Sequence, residues 1–214
     1  MSRIGILLFD DAEELDFAGP WEVFTMTNEV FAREGKERPH EVFLIAEHEA
    51  PIRCAKGMRV LPDIAIAECA ALDVLLIPGG IGTGREATND SLLRWIGEIA
   101  ATCRWVTSVC TGALLLTAVG PARGKRVTTH WAFIEQLRAR GEAAEVVENL
   151  RYVRDGNVVT AAGVSAGIDM ALWLVVSFME PPWRAPSSTR WNTIPRRLTP
   201  RTRNAPAKHS TVSA

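Results

Sequence analysis

Trp105-Val106-Thr107-Ser108-Val109-Cys110-Thr111-Gly112-Ala113 is the stretch from which the fold can be read. Trp105 to Val109 is a largely apolar run of strand type. Thr111-Gly112-Ala113 is a small-residue helix start. A strand that turns sharply into a helix presents its junction side chain at the carboxyl edge of a sheet. A thiol placed there faces a helix N-terminus, whose partial positive charge lowers a thiol pKa. This is the geometry of a nucleophile elbow with Cys110 in place of serine. The same position suits a buried structural cysteine, a common fate of free thiols. The stretch alone leaves both readings open.

Around it, strand and helix signals alternate, which implies βαβ units and a mostly parallel sheet in an α/β fold. Strands are predicted at Arg3–Phe9, Glu41–Ala46, Asp73–Ile77, Arg104–Val109 and Val158–Ala161. Helices are predicted at Phe17–Arg33, Asp90–Thr102, Thr111–Val119, Trp131–Arg140 and Ser165–Met179. The run Val74-Leu75-Leu76-Ile77 is continuously apolar, as a strand buried on both faces should be. The last helix is apolar nearly all round, which suits the core or a subunit contact. A hairpin is expected from Arg151–Val153 and Val158–Thr160 around Arg154-Asp155-Gly156-Asn157.

The 214 residues suit one α/β domain with extras, and a hydrophobic content of 47% supplies a full core. No apolar run reaches the roughly 18 residues of a membrane span. The N-terminus enters a strand directly, without a basic start or a cleavage site, so no signal peptide is expected. Four scattered cysteines (54, 69, 103 and 110) argue against a zinc site and a secreted disulfide framework. A cytoplasmic location with reduced thiols is the expectation. The net charge of −1 hides an asymmetry: seven basic residues and no acidic one lie beyond Glu180, and without those seven, 17 basic residues face 25 acidic ones, a net of −8. The chain thus divides into a body, residues 1–179, and a basic Pro/Ser/Thr-rich tail, residues 180–214. The seven tryptophans are spread along the chain and read as packing residues rather than a stacking surface for nucleic acid.

In an open α/β sheet, ligands bind beyond the carboxyl ends of the strands. Three such ends carry chemistry here: Phe9 through Asp16, Pro78-Gly79-Gly80, and Cys110. Asp16 reads either as a helix N-cap or as a carboxylate moving protons beside the thiol. Gly79 and Gly80 let the backbone turn after a buried strand. Their N–H groups, with that of Thr111, are candidates to hold a developing negative charge, or they form an ordinary turn. No Gly-Lys-Ser/Thr follows, which excludes a phosphate loop. His130 reads as a base near the thiol or as a cap of the helix at Trp131.

Taken in order, Gly5-Ile6-Leu7-Leu8-Phe9, Leu15-Asp16-Phe17-Ala18-Gly19-Pro20, Ile77-Pro78-Gly79-Gly80, Val109-Cys110-Thr111-Gly112, Thr128-Thr129-His130-Trp131 and Ala166-Gly167-Ile168-Asp169 resemble the DJ-1/PfpI superfamily. Within it they look most like the isonitrile (isocyanide) hydratase branch. The resemblance runs from about Arg3 to about Phe178. It implies a flavodoxin-like three-layer sandwich, a homodimer, and Cys110 as nucleophile. It puts Asp16 in the place of the acidic partner, and Thr111 after the nucleophile as in the hydratases. Protease and amidotransferase-like branches carry His there, so peptidase activity is not expected. A role for His130 carries over only weakly.

The resemblance implies attack of the Cys110 thiolate on an isocyanide carbon to give a thioimidate. Asp16 would move protons and position water, and an N-substituted formamide would leave. Gly79, Gly80 and Thr111 amides would hold the charge, and the segment Ala162-Gly163-Val164 would form another wall. No metal or organic cofactor, nucleic acid or membrane is called for; the partner is a small molecule. A ligand-sensing regulatory domain or a glyoxal and oxidative-stress protein are the other readings. Beyond Met179 the resemblance fails. Relatives are expected to end near a Glu-Tyr-x-Pro-x-Pro-Pro segment, whereas here Glu180-Pro181-Pro182-Trp183 follows. Read one frame over, codons for Trp191-Asn192-Thr193-Ile194-Pro195 allow Glu-Tyr-Asp-Pro. The tail is therefore expected to be a frameshifted end, with a disordered basic tail and a nucleic-acid-binding extension as competing readings.

Overall fold

A computed structural model describes residues 1–179; the tail and its frameshift reading lie outside the described residues. The elements run β1 (Ser2–Leu7), α1 (Glu14–Arg33), β2 (His40–Ala46), β3 (Ile52–Arg53), β4 (Arg59–Val60), β5 (Ile64–Ala65), β6 (Val74–Ile77), α2 (Thr83–Glu86), α3 (Asp90–Ala100) and β7 (Trp105–Val109). Then come α4 (Ala113–Val119), β8 (Arg126–Val127), α5 (Ile134–Ala139), β9 (Glu145–Val146), β10 (Tyr152–Asp155), β11 (Val158–Ala161) and α6 (Val164–Met179).

Seven strands form the main sheet in the order β10-β11-β7-β6-β1-β2-β5. Only the β10–β11 pair is antiparallel. This is the mostly parallel α/β sheet that the alternating pattern implies, in the flavodoxin-like arrangement that the resemblance implies. The three strands whose ends border the site, β6, β7 and β11, are buried at every residue. Helices must therefore cover both faces. α1 packs on α6, and α3 on α4. In α3, Leu92, Ile96, Ile99 and Ala100 are buried at helical spacing, and the Asn89 side chain caps the first turn by accepting from the Leu92 N–H at 3.2 Å.

Several boundaries differ from the sequence reading for identifiable reasons. α1 begins at Glu14 rather than Phe17, because the Glu13 N–H donates to the Gly79 carbonyl at 2.8 Å and fixes the chain's entry there. Asp16 consequently lies inside the first turn and is not the N-cap. Cys110–Gly112 and Trp131–Phe133 form single tight turns ahead of α4 and α5 rather than their first residues. The hairpin closes on two residues, Gly156-Asn157, with Gly156 at φ 61°. The two-residue strands β3, β4 and β5 are too short to leave a periodic signal. α6 is not buried all round, since Leu172 and Val176 are about half exposed.

β7 reaches the site only because its continuation packs on the end of β6. A Cβ at Gly112 would lie 2.4 Å from the Ile77 carbonyl oxygen and 2.7 Å from that of Pro78. These are main-chain atoms that cannot rotate aside. Gly112→Ala is expected to destabilise the fold by about 1–3 kcal/mol and to move the elbow. Denaturant unfolding beside a Gly84→Ala control, whose Cβ would meet nothing within 4 Å, measures it.

Candidate active site

Cys110 leaves β7 at φ 55°, a left-handed conformation that non-glycine residues rarely adopt. Such strain persists only where surrounding contacts over-determine it. Here Thr129 Oγ1 donates to the Cys110 carbonyl at 2.8 Å. Thr111, nearly fully buried, accepts from the Gly80 N–H at 3.0 Å and donates to the Gly80 carbonyl at 3.1 Å. A Cβ at Gly79 would lie 2.6 Å from the Thr111 nitrogen and 2.7 Å from Cys110 Cβ. The glycine after β6 is thus required by close approach of the two strand ends. The thiol itself remains partly accessible.

Asp16 is fully buried. Its Oδ2 accepts from the Gly79 N–H at 3.0 Å, and its Oδ1 from the Val164 N–H at 2.9 Å. Val164 opens α6 at φ 27°, after Gly163 at φ 148°. The carboxylate of α1 is therefore clamped between the ends of β6 and β11, beside the elbow.

This geometry corrects one assignment. The Gly79 and Gly80 amides do not point freely at a ligand: the first is spent on Asp16 and the second on Thr111. Val164, expected as a wall residue, contributes its N–H to the carboxylate. His130 caps its own turn, its Nδ1 accepting from the Ala132 N–H at 3.3 Å. It also shares the site's rim. The point where a Gly163 Cβ would stand lies 3.4 Å from His130 Cδ2 and 3.9 Å from Cys110 Sγ. Thr129 is a site residue that sequence reasoning missed, whereas Gly163 belongs to the Ala162-Gly163-Val164 segment expected as a wall. Thr129 stood inside a quoted motif, but nothing local signals that its hydroxyl reaches a carbonyl 19 residues away.

The DJ-1/PfpI family pattern matches residues 2–177. The chain belongs to the DJ-1/PfpI family. It is 40% identical over 172 residues to the isonitrile hydratase of Pseudomonas putida, an alignment covering 80% of this chain and 70% of that one. A ThiJ/PfpI family protein from Pseudomonas syringae superimposes with a TM-score of 0.72 at 27% identity, over 87% of this chain and 79% of that one. Drosophila melanogaster DJ-1beta shares the fold, with a TM-score of 0.68 at 22% identity over 83% and 90% of the two chains.

The electrostatics of this family member's site run against the lowered thiol pKa expected from a helix end. Burial pushes the Cys110 thiol up to about 12, the Asp16 carboxylate adds to it, and the Thr111 N–H opposes both. Burial likewise raises Asp16 to about 6, against the Val164 and Gly79 N–H groups. Each anion disfavours the other, so the pair carries a single proton between those limits. Among the described residues no group of three or more His, Cys, Asp or Glu side chains is placed to hold a metal ion, and no helix is long and apolar enough to cross a membrane.

The strain at the elbow is measurable. Cys110→Gly and Cys110→Ala both remove the thiol, but only glycine relaxes at φ 55°. The glycine variant is expected to be more stable than the alanine variant by about 1 kcal/mol. Paired thermal melts test this; an alanine variant of equal or higher stability contradicts the strain.

Proposed function

We propose that this protein hydrates an isocyanide to an N-substituted formamide. The observation that supports the reading best is the placement of Cys110, on its strained elbow, beside Asp16, whose buried carboxylate is held by two main-chain amides. The 40% identity to the Pseudomonas putida isonitrile hydratase supports it, as does Thr111 in the position after the thiol.

An isocyanide carbon accepts a nucleophile if a proton is delivered as the bond forms. Asp16 takes the Cys110 proton, the thiolate attacks the terminal carbon, and Asp16 returns the proton to that carbon. The product is an S-linked thioimidate, R–N=CH–S–Cys. Asp16, again a carboxylate, draws a proton from water, whose oxygen adds to the same carbon. The nitrogen takes up a proton and the C–S bond breaks. R–NH–CHO leaves, and Cys110 recovers its proton. One isocyanide and one water become one formamide, with no oxidant, metal or organic cofactor in the balance. The Thr111 N–H, which favours the thiolate, assists the sulfur both as nucleophile and as leaving group. The reaction is that of a lyase acting on a small molecule in the cytoplasm. A homodimer belongs to the same reading, supported by the exposed Met26 and Val30 of α1 and Leu172 and Val176 of α6.

Formamide production from cyclohexyl isocyanide is expected from the wild type. Cys110→Ala is expected to abolish it, and Asp16→Asn to lower it by roughly 10²–10⁴-fold. A folded wild type without formamide production overturns the proposal. The pH profile follows from the pair. Protonation of Asp16 removes the base, so kcat/KM should rise with pH through about 6, well above the ordinary carboxylate range. An acid limb near pH 4 would show that burial of Asp16 does not set the rate.

A further inference from the structure

A second cavity of about 510 Å³ opens at the carboxyl ends of β1 and β2, apart from the thiol. Neither Cys110, Asp16, Gly79 nor Thr111 lines it. Its size falls within the range of small-molecule sites. Leu8, Phe9 and Leu92, all nearly fully buried, form an apolar floor, and the half-buried Ile52 extends it.

The polar groups around that floor are arranged unequally. Glu86, also nearly fully buried, is satisfied: Oε1 accepts from Arg85 Nε at 2.8 Å and Oε2 from Asn89 Nδ2 at 3.0 Å. Arg85 is spent, since its other two nitrogens donate to Asp11 Oδ2 at 3.1 Å and to the Asp10 carbonyl at 2.6 Å. Asn89 also donates to Glu47 Oε2 at 2.9 Å. That bond fixes the half-buried Glu47 carboxylate through a neutral donor. Among the described residues neither Glu47 nor Asp10 has an ion-pair partner. Asp10 Oδ1 accepts only the Arg53 N–H at 2.8 Å. Two carboxylates without an ion-pair partner, the half-buried Glu47 and the exposed Asp10, thus border the apolar floor, with the exposed His48 also in the lining.

We propose that this cavity binds a small organic cation, an alkyl- or aryl-ammonium ion whose apolar body lies on Leu8, Phe9 and Leu92 and whose charge meets Glu47 and Asp10. An anion would meet uncompensated carboxylates. A neutral ligand would shield Glu47 from water without replacing its hydration, which is costly for a charged group. A bare metal ion has too few ligands there, because no group of three His, Cys, Asp or Glu side chains is assembled among the described residues. An ammonium group satisfies the carboxylates, and the floor takes the carbon skeleton. The site stands independently of the chemistry proposed at Cys110.

Titration calorimetry of the full chain with 2-phenylethylammonium chloride tests it, with 2-phenylethanol as the neutral counterpart. Saturable binding of the ammonium and none of the alcohol is expected. Glu47→Gln keeps an acceptor for Asn89 and removes the charge. It should weaken binding at least about tenfold, with an unchanged melting temperature marking an intact fold. Ala50→Phe, at an exposed residue of the lining, should weaken binding by filling the mouth. Cys110→Ala should leave it unchanged. Absence of saturable binding at millimolar ammonium, equal binding of the alcohol, an affinity indifferent to Glu47→Gln, or loss of binding in Cys110→Ala would each overturn the proposal.

Discussion

The Asp16 carboxylate accepts one hydrogen bond from the Gly79 N–H and one from the Val164 N–H, and the site depends on that double grip. A buried carboxylate without partners would cost several kcal/mol. Two charge-assisted bonds from the main chain offset much of that cost and leave the pKa raised rather than extreme. The same contact ties α1 to the end of β6 and to the first turn of α6. Structural anchor and chemical group are one side chain, held by parts of the backbone that do not depend on side-chain identity.

Next to that anchor, competing influences on the thiol can be ranked. A helix N-terminus contributes about 0.3–1 kcal/mol, less than one pKa unit. Burial moves a thiol by up to several units, and a neighbouring carboxylate adds to it. Behind Cys110 stands a single tight turn and then the seven residues of α4, not a long helix. Burial wins, and the Cys110 thiol is held above rather than below its ordinary pKa. Such a thiol suits the proposed reaction, in which its proton goes to the atom that is attacked.

The fold was legible because its information is periodic and local. The continuous run Val74–Ile77 and the apolar stretch ending at Cys110 announced buried parallel strands, and both strands are buried at every residue. Candidate site residues could be named too: Gly79, Gly80 and Cys110 follow strand ends, and Asp16 carries a chemically capable side chain in the first turn of α1. Their contacts were not legible. That the Gly79 amide serves Asp16 and not a ligand depends on a helix starting at Glu14, three residues before its apolar pattern suggests. That the Thr129 hydroxyl braces the elbow depends on two segments meeting across 19 residues of chain. Two-residue strands such as β5 carry too few side chains to show a period, and the half-exposed Leu172 and Val176 of a largely apolar helix reflect the limited face that α1 and the sheet offer.

The grip on Asp16 also has a meaning in time. During synthesis a chain emerges N-terminus first, so Asp16 appears long before its partners, which lie 63 and 148 residues further on. Cys110 emerges while the Val164 amide is still to come. The newborn thiol therefore has no fastened carboxylate with which to share a proton. Until the start of α6 has been made and packed against α1, the carboxylate lacks its second hold.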